Sequence, residues 1–176
     1  MEVKISKGKN INLKGEASLT VEEYHSQTFS LKPTDFHGLK PRLSVKEGDS
    51  VLAGESLFFD KDFEKIKFVS SVSGKVQSII RGEKRKLLEV VVKADKKNKF
   101  KKFNVSNFEK LDPEKLKNLF FESGLWSLIK QRPFDSVADP NITPKAIFIS
   151  CFDSSPLAPN YDFLLSGKEK EFQKGI

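Results

Sequence analysis

Cysteine is almost absent from this 176-residue chain, which contains one, Cys151. A single cysteine cannot form an internal disulfide, so a reducing compartment is its natural setting. One thiolate also falls short of the roughly four that hold an iron–sulfur cluster. Because it ends the apolar run of residues 146–151, we interpret Cys151 as a buried strand thiol. The alternative, a nucleophile, lacks a visible link to His25 or His37.

Long apolar runs are also missing. None reaches the ~20 residues that a membrane-spanning helix needs, and the first five residues lack the apolar stretch of a secretory signal. Any membrane association is therefore expected to go through partners. The sequence contains no G-x-G-x-x-G, so it proposes no NADH or flavin site. Its two histidines lack metal-ligand spacing and give no support for a metal site.

Positive charge is in excess, with a net charge of +7. Clustered lysines neutralise phosphates and release counterions, which raises the question of a nucleic acid. Six lie close together: Lys93, Lys96, Lys97, Lys99, Lys101 and Lys102. We interpret this lysine cluster as a solvated connection between domains and expect no nucleic acid. A basic nucleic-acid-binding β module, an anionic membrane surface and an acidic neighbouring subunit stay open as alternatives.

The first hundred residues consist of short apolar runs broken by glycine, proline and aspartate. With 38% hydrophobic residues and 16 Phe, the chain has enough apolar surface for a packed core. Alternation and β-branched residues predict strands at residues 18–21, 28–31, 56–59, 67–70, 74–81 and 87–93. This half is therefore predicted to be all-β, a sandwich or barrel.

A helix is predicted to begin at Pro113, because Asp112 is suited to cap it and an acidic first turn follows. Gly124 suits the helix end. Its apolar face contains Leu116, Leu119, Phe120 and a candidate fourth member, Phe121. Residues 125–129 have the pattern of another short helical turn, which ends before Arg132-Pro133.

Residues 145–152 have the pattern of a fully buried strand in a parallel sheet. Such a strand needs neighbours on both edges and helices on its faces, so we expect an incomplete, Rossmann-like α/β domain. The tail around residues 167–171 is expected to be mobile or to begin a helix. The fold class is then α+β, with a β-rich domain at 1–100, a linker at 101–112 and a helix plus first strand at 113–176.

Two glycine-centred segments, residues 45–57 and 69–76, resemble the two halves of a biotinyl/lipoyl-type barrel-sandwich hybrid. Gly48, Gly54 and Gly74 suit turns that need a permissive backbone. Val51 and Leu57 are expected to face a small shared core. This motif alone recurs in carriers, transport adaptors and redox subunits, so it indicates a fold rather than a function.

Carrier domains of this fold present a lysine between the two halves, flanked by methionines or followed by a small residue. Here Lys61 follows Asp60 but precedes Asp62, and Met1 is the chain's only methionine. Covalent attachment of biotin or lipoate is therefore not expected. Lys61 is interpreted as an exposed turn residue of a structural or docking module.

Further segments resemble the A-subunit family of the bacterial Na+-translocating NADH:quinone reductases (Nqr). They are residues 31–42 leading into 45–49, 81–85, 122–126 with 131–134, and 143–149 with 152–158. The ordered set covers most of residues 32–159 and is more specific than the barrel motif. The C subunit of the Rnf complex and the flavin-carrying subunit of complex I are similar in architecture, but they bring a glycine-rich loop that is absent here.

The resemblance implies a soluble, peripheral subunit on the cytoplasmic face of the bacterial inner membrane, attached through the other subunits of the reductase. That enzyme, an oxidoreductase and translocase, passes electrons from NADH through flavins and an iron–sulfur centre to quinone while moving Na+ outward. This portion is expected to bind no cofactor and not to be catalytic alone, although quinone is associated with the family. An unrelated barrel-sandwich interaction or cofactor-carrier module stays the alternative.

The resemblance also suggests site residues, each with a plainer interpretation. Trp126 and Phe134 are candidates for the apolar lining of a quinone pocket between the two parts, or for packing of a helix end against the sheet. Asp153 follows the end of the predicted buried strand, where α/β sheets place ligands. The plainer alternative for Asp153 is a turn that ends the strand.

Candidate interface residues are basic for the most part. Arg81, Glu83, Lys84 and Arg85 are expected to form a charged docking surface or to meet a polar headgroup, with a solvated hairpin turn as the alternative. Arg132 is a candidate for pairing across a domain or subunit interface, and otherwise an ordinary surface arginine.

Overall fold

The structure is a computed structural model, which describes Lys4, Gly8, Ile11 and residues 13–15, 17–105 and 111–176. The chain divides into two compact units. One comprises Met1–Tyr24 together with Pro144–Ile176, and the other is His25–Thr143. The second unit contains the barrel and the first helix. Among the described residues, no helix is both long and apolar enough to cross a bilayer.

Seven antiparallel strands form the β-rich region within the described residues. They are β1 (Thr28–Leu31), β2 (Pro41–Leu43), β3 (Ser50–Val51), β4 (Ser56–Asp60), β5 (Lys67–Val69), β6 (Gly74–Arg81) and β7 (Leu87–Ala94). One sheet has the order β1-β7-β6-β3, and the other has the order β2-β4-β5. The strands predicted at 28–31, 56–59, 67–70, 74–81 and 87–93 are confirmed to within one residue.

The strand predicted at residues 18–21 is wrong. No strand includes these residues, and the side chains of Leu19 and Val21 are 63% and 81% exposed. The alternating pattern there is suited to a strand, but a strand also needs a neighbour that accepts its backbone hydrogen bonds. The described part of the chain places none beside it.

Phenylalanine rings fill the space between the two sheets, where Phe58 stacks on Phe68 at a centroid distance of 5.0 Å. Phe36 meets the same Phe68 ring edge-on at 4.5 Å. Around them lie the buried aliphatic residues Val51, Leu57, Ile66, Val72, Val76, Leu87, Val90 and Val92. Val51 and Leu57 therefore face the core as predicted.

Two turns with the same design join the strands of the barrel. Gly48 and Gly54 have φ values of +90° and +89°, in the left-handed region that favours glycine, as predicted. In each turn the next residue is acidic, and its carboxylate accepts a 2.8 Å hydrogen bond from the backbone N–H three residues earlier. These carboxylates are those of Asp49 and Glu55.

Gly74 does not occupy a turn, contrary to the prediction. It is the first residue of β6 and pairs with Ala94 of β7. A β-carbon at this position would overlap the carbonyl oxygen of Lys93. Glycine is required here by close approach of two backbones rather than by a turn conformation.

The helix predicted after Asp112 is confirmed as α1 (Pro113–Ser123). The carboxylate of Asp112 accepts a 3.0 Å hydrogen bond from the N–H of Lys115, and Gly124 ends the helix at a φ of +78°. A 3-10 turn, Leu125–Leu128, confirms the second short helical segment. A small hairpin follows, made of β8 (Lys130–Gln131) and β9 (Ser136–Val137).

The strand predicted at residues 145–152 is wrong as well. These residues form no strand and are exposed, with 93% of Phe148 accessible. Cys151 is exposed rather than buried. A buried parallel strand needs partners along both edges, and the described residues supply none. Two short helices follow, α2 (Tyr161–Leu165) and α3 (Glu169–Gly175), so the tail does begin a helix.

Candidate functional site

The β6–β7 hairpin brings four of the candidate interface residues together. Arg81 ends β6, and Glu83, Lys84 and Arg85 form the 3-10 turn at the tip. The N–H of Gly82 donates to the carbonyl of Lys86 at 2.8 Å, and the Arg81 guanidinium donates to the carbonyl of Arg85 at 3.1 Å. The tip is therefore an ordered turn that presents several charged side chains to solvent.

The backbone of this tip is unusual. Lys84 and Arg85 have φ values of +51° and +61°, although neither is glycine. Left-handed backbone is costly for residues with a long side chain, and hairpin turns that need it at two consecutive positions ordinarily carry Asn-Gly. The chain therefore keeps two cationic side chains where other residues suit the backbone better.

Arg132 and Phe134 lie in a second, smaller turn, between β8 and β9. Arg132 is 3.7 Å from the carboxylate of Asp135, an exposed pair within one turn. Phe134 is 68% exposed and does not belong to the buried core cluster. This hairpin is held against the barrel, because Ser136 bridges to His37 and the Lys130 amine lies 5.3 Å from the ring centroid of Phe36.

Trp126 occupies the junction between α1 and the barrel. Its side chain is 9% exposed, and its indole N–H donates a 2.8 Å hydrogen bond to the carbonyl oxygen of Ala138. Its ring is 4.7 Å from that of Phe121, and both belong to the core cluster of the barrel. The structure thus brings Trp126 into packing of the helix end and leaves Phe134 in solvent.

An open cleft of about 610 Å³ is lined in part by Phe121 of α1. Its apolar wall also includes Phe63, from the segment between β4 and β5, and Pro140. The polar lining comes from Glu64, Lys65, Glu114, Lys117, Asn118 and Asn141. Sequence reasoning missed this cleft, and the only signal for it was the place of Phe121 on the apolar face of α1.

Lys61 is exposed, as predicted, at the bend between β4 and β5. The bend is braced from outside, because the N–H of Lys61 donates to the carbonyl of Lys40 at 2.8 Å. The Lys40 amine also forms a 2.7 Å ion pair with Asp62. The hydrogen bond and charge of Asp62 raise the pKa of Lys40.

The backbone of the lysine cluster is hydrogen-bonded to the barrel. The N–H of Ala53 donates to the carbonyl of Lys99 at 2.9 Å, and the N–H of Lys101 donates back to Ala53 at 2.8 Å. The N–H of Lys99 donates to the hydroxyl of Ser73. Most of the lysine side chains stay in solvent, but the backbone that carries them is bonded to the β-turn at Gly54.

Asp153 lies in the other compact unit, with Pro144–Ile176. Its carboxylate accepts hydrogen bonds from the hydroxyl and the N–H of Ser155, at 2.7 and 2.8 Å. These bonds hold the pKa of Asp153 below its usual range. The premise that placed Asp153 at a ligand site fails in this structure, because the residues before it form no buried strand.

Known proteins match both parts of the chain. Residues 3–95 match the NqrA N-terminal barrel-sandwich hybrid domain, and residues 111–176 match the NqrA second alpha/beta domain. Relatives named as the A subunit of Na(+)-translocating NADH-quinone reductase include those of Alcanivorax borkumensis, 34% identical, and Vibrio vulnificus, 35% identical. Each alignment covers 99% of this chain and 40% of the relative.

The chain therefore spans about two fifths of the length of these relatives. The match to the N-terminal barrel-sandwich hybrid domain alone covers more than half of the residues of this chain. The two matches follow each other in the order of the NqrA domains, and the first coincides with the observed barrel. The chain belongs to the NqrA family, with a barrel-sandwich hybrid domain followed by residues of the second α/β domain.

Proposed function

We propose that this chain is a peripheral, cytoplasmic-side part of the A subunit of a Na+-translocating NADH:quinone reductase. The observation that carries the proposal is the ordered match of its two parts to the two NqrA domains. In the proposed role the chain contributes to subunit docking and quinone-side architecture and has no redox centre of its own. NADH, flavins, an iron–sulfur centre, quinone and Na+ belong to the whole assembly.

Within this proposal the chain divides into a barrel at 1–100, a linker at 101–112 and the α/β part at 113–176. The shared core of Phe121, Trp126 and the barrel supports a fixed arrangement of α1 on the barrel. Close packing of Gly124 supports it too, because a β-carbon there would lie 2.8 Å from the methyl carbons of Val69. A fixed junction suits a docking module, since it presents its surfaces without prior ordering.

The proposed contact surface consists of the β6–β7 hairpin with Arg81, Glu83, Lys84 and Arg85, and of Arg132 on the β8–β9 hairpin. All five side chains lie at the surface. Arginine is enriched at protein interfaces because its planar guanidinium donates several hydrogen bonds at once. Both hairpins belong to one compact unit, which therefore carries both contacts.

Quinone is proposed to meet the chain at the cleft beside α1. The cleft offers two phenylalanine rings and several amide and ammonium donors to a flat headgroup with two carbonyl oxygens, beside the carboxylates of Glu64 and Glu114. In this proposal Trp126 supports the wall from behind Phe121, and Phe134 lies on the adjoining hairpin. Asp153 is also proposed as a quinone-side residue, and the support for it is that it belongs to the part of the chain that matches the α/β domain.

Trp126 provides a direct test of the quinone proposal, because it is the only tryptophan. A short-chain quinone bound in the cleft is expected to quench its emission with a saturating concentration dependence. Phe63→Ala removes part of the wall and should weaken the quenching, whereas Phe29→Ala, on an outer strand, should not. Quenching that rises linearly with quinone concentration and is identical in both variants would contradict quinone binding in the cleft.

The function itself is tested by genetics and enzymology. Disruption of the gene for this chain should abolish sodium-stimulated NADH:quinone reductase activity in the membranes of the source organism, and the complete gene should restore it. Unchanged sodium-stimulated activity in the disrupted strain would contradict the proposed membership. An intact mass equal to that of the unmodified chain is expected alongside, since covalent attachment at Lys61 would favour the carrier alternative.

A further inference from the structure

The tip of the β6–β7 hairpin contains an excess of unneutralised cations. Arg81, Lys84, Arg85 and Lys86 are all exposed, and none forms an ion pair with another residue in the described part of the chain. Glu83 is the only acid within the turn. Two further acids lie near the strand residues before the turn: the Glu47 carboxylate accepts a 2.7 Å hydrogen bond from the N–H of Ile79, and Glu89 of β7 pairs with Ile80.

The same tip retains an unfavourable backbone. Lys84 and Arg85 hold two consecutive left-handed positions where Asn and Gly cost less. A locally unfavourable backbone that carries a distinct chemical group points to a role for that group. Here the group is a pair of long cationic side chains at the outermost point of the hairpin.

The shape of the tip restricts its partner. A small free anion needs donors that converge on one point, and no tip residue lines either the cleft beside α1 or the smaller cleft at Ser44 and Ser50. The hairpin ends in an exposed turn, so its tip is convex. Ile80, immediately before Arg81, is 41% exposed. A convex cationic tip with an exposed aliphatic residue suits a broad anionic surface that also accepts apolar groups, which describes a bilayer of acidic phospholipids.

We propose that residues 80–86 form a contact with anionic phospholipid headgroups, with Lys84 and Arg85 as the principal cations and Ile80 at the apolar boundary. The inference rests on the docking role proposed above and divides its contact surface, with phospholipid at the tip of the β6–β7 hairpin and a neighbouring subunit at Arg132. Arg81 also has a structural role, because its hydrogen bond to the Arg85 carbonyl stabilises the turn. Attraction of this kind is electrostatic and falls as salt screens it.

The test is flotation of the purified chain with vesicles of phosphatidylglycerol and phosphatidylcholine at low salt, compared with phosphatidylcholine alone. The decisive variant is Lys84→Asn/Arg85→Gly, which removes two cations and supplies the residues that this backbone prefers. It should bind the acidic vesicles roughly 30-fold more weakly and should melt at a higher temperature than the wild type. A lower melting temperature would contradict the strain argument.

The matched control is Lys96→Asn/Lys97→Gly, which removes the same charge from exposed residues of the lysine cluster. Its vesicle binding should stay within about twofold of the wild type. Equal weakening in both variants would show attraction by net charge and overturn the proposal. So would full binding by the hairpin variant.

Failure here is separable from failure of the proposed function, because the vesicles contain no protein. If the wild type ignores acidic vesicles while the hairpin variant loses co-purification with reductase subunits, the partner is an acidic protein surface and the lipid assignment is wrong. If vesicle binding behaves as stated but no reductase subunit is recovered, the lipid contact stands and the reductase membership falls.

Discussion

Gly74 lies so close to Lys93 that no β-carbon fits between the two backbones. The obstacle is a carbonyl oxygen in the β6–β7 ladder, so it cannot rotate away as a side chain would. Gly74→Ala should therefore destabilise the barrel by about 1 to 3 kcal/mol, as overpacking in a rigid site does. Urea unfolding of the variant and the wild type measures the difference.

Gly175→Ala is the matched control, since a β-carbon at that position meets nothing within 4 Å. Its midpoint in urea should be unchanged. Equal stability of Gly74→Ala and the wild type would mean that the two strands are farther apart than described.

Local signals predicted most of the barrel. The turns at Gly48 and Gly54 depend on one residue's own φ, so glycine followed by an acid is enough to predict them. The role of Gly74 was misassigned because it depends on Lys93, which lies far along the sequence in another strand. The strand predictions at residues 18–21 and 145–152 are wrong for a related reason. A strand pattern shows that a segment is suited to pairing, but it does not show whether a partner strand is present.

The candidate site likewise has features that local sequence predicts and features that depend on the packing of distant segments. Contiguity alone placed Arg81, Glu83, Lys84 and Arg85 in one turn, so the sequence was sufficient for the hairpin. The left-handed backbone at the tip had no signal in residue type, because lysine and arginine rarely adopt it. The cleft joins Phe63 to Phe121 and Pro140, three segments far apart in the chain, and only their packing reveals it.

The hydrogen bond from Trp126 to the Ala138 carbonyl should contribute measurably to stability. Trp126→Phe leaves that partly buried carbonyl without its donor and removes part of a packed ring. We expect a loss of about 1 to 3 kcal/mol in the free energy of unfolding. Thermal melting followed by circular dichroism measures it, with Phe134→Leu, at an exposed aromatic position, as a control that should melt like the wild type. A stable Trp126→Phe variant would argue against a shared core.

The cap of α1 should respond to pH. The N–H and the amine of Lys115 lower the pKa of Asp112, because they stabilise its charged form in the folded state. The contribution of the charge to stability is thus complete above the unfolded pKa of Asp112 and is lost as pH falls through the lower, folded value. Carboxyl NMR titration should give a pKa below that of an unfolded reference peptide.

Asp112→Asn keeps a capping oxygen but removes the titration, so its helix should show less loss of stability on acidification. A pKa for Asp112 at or above the reference value would contradict the capping geometry.

Cys151 should react freely in the native chain, because its side chain is exposed. With a chromogenic disulfide reagent at neutral pH, one thiol should be modified at a rate close to that in denaturant. Protection by several orders of magnitude would restore the interpretation of residues 145–152 as a buried strand.

The central claim is membership of a membrane-bound reductase assembly. Its most direct test is affinity capture of this chain, and of a protein of the relatives' full length that contains it, from detergent-solubilised membranes of the source organism, with partners identified by mass spectrometry. The account predicts recovery of the other subunits of the Na+-translocating NADH:quinone reductase, with weaker recovery for Arg132→Ala. Recovery of a biotin-dependent carboxylase or a ribonucleoprotein, or of no reductase subunit with either protein, would contradict it.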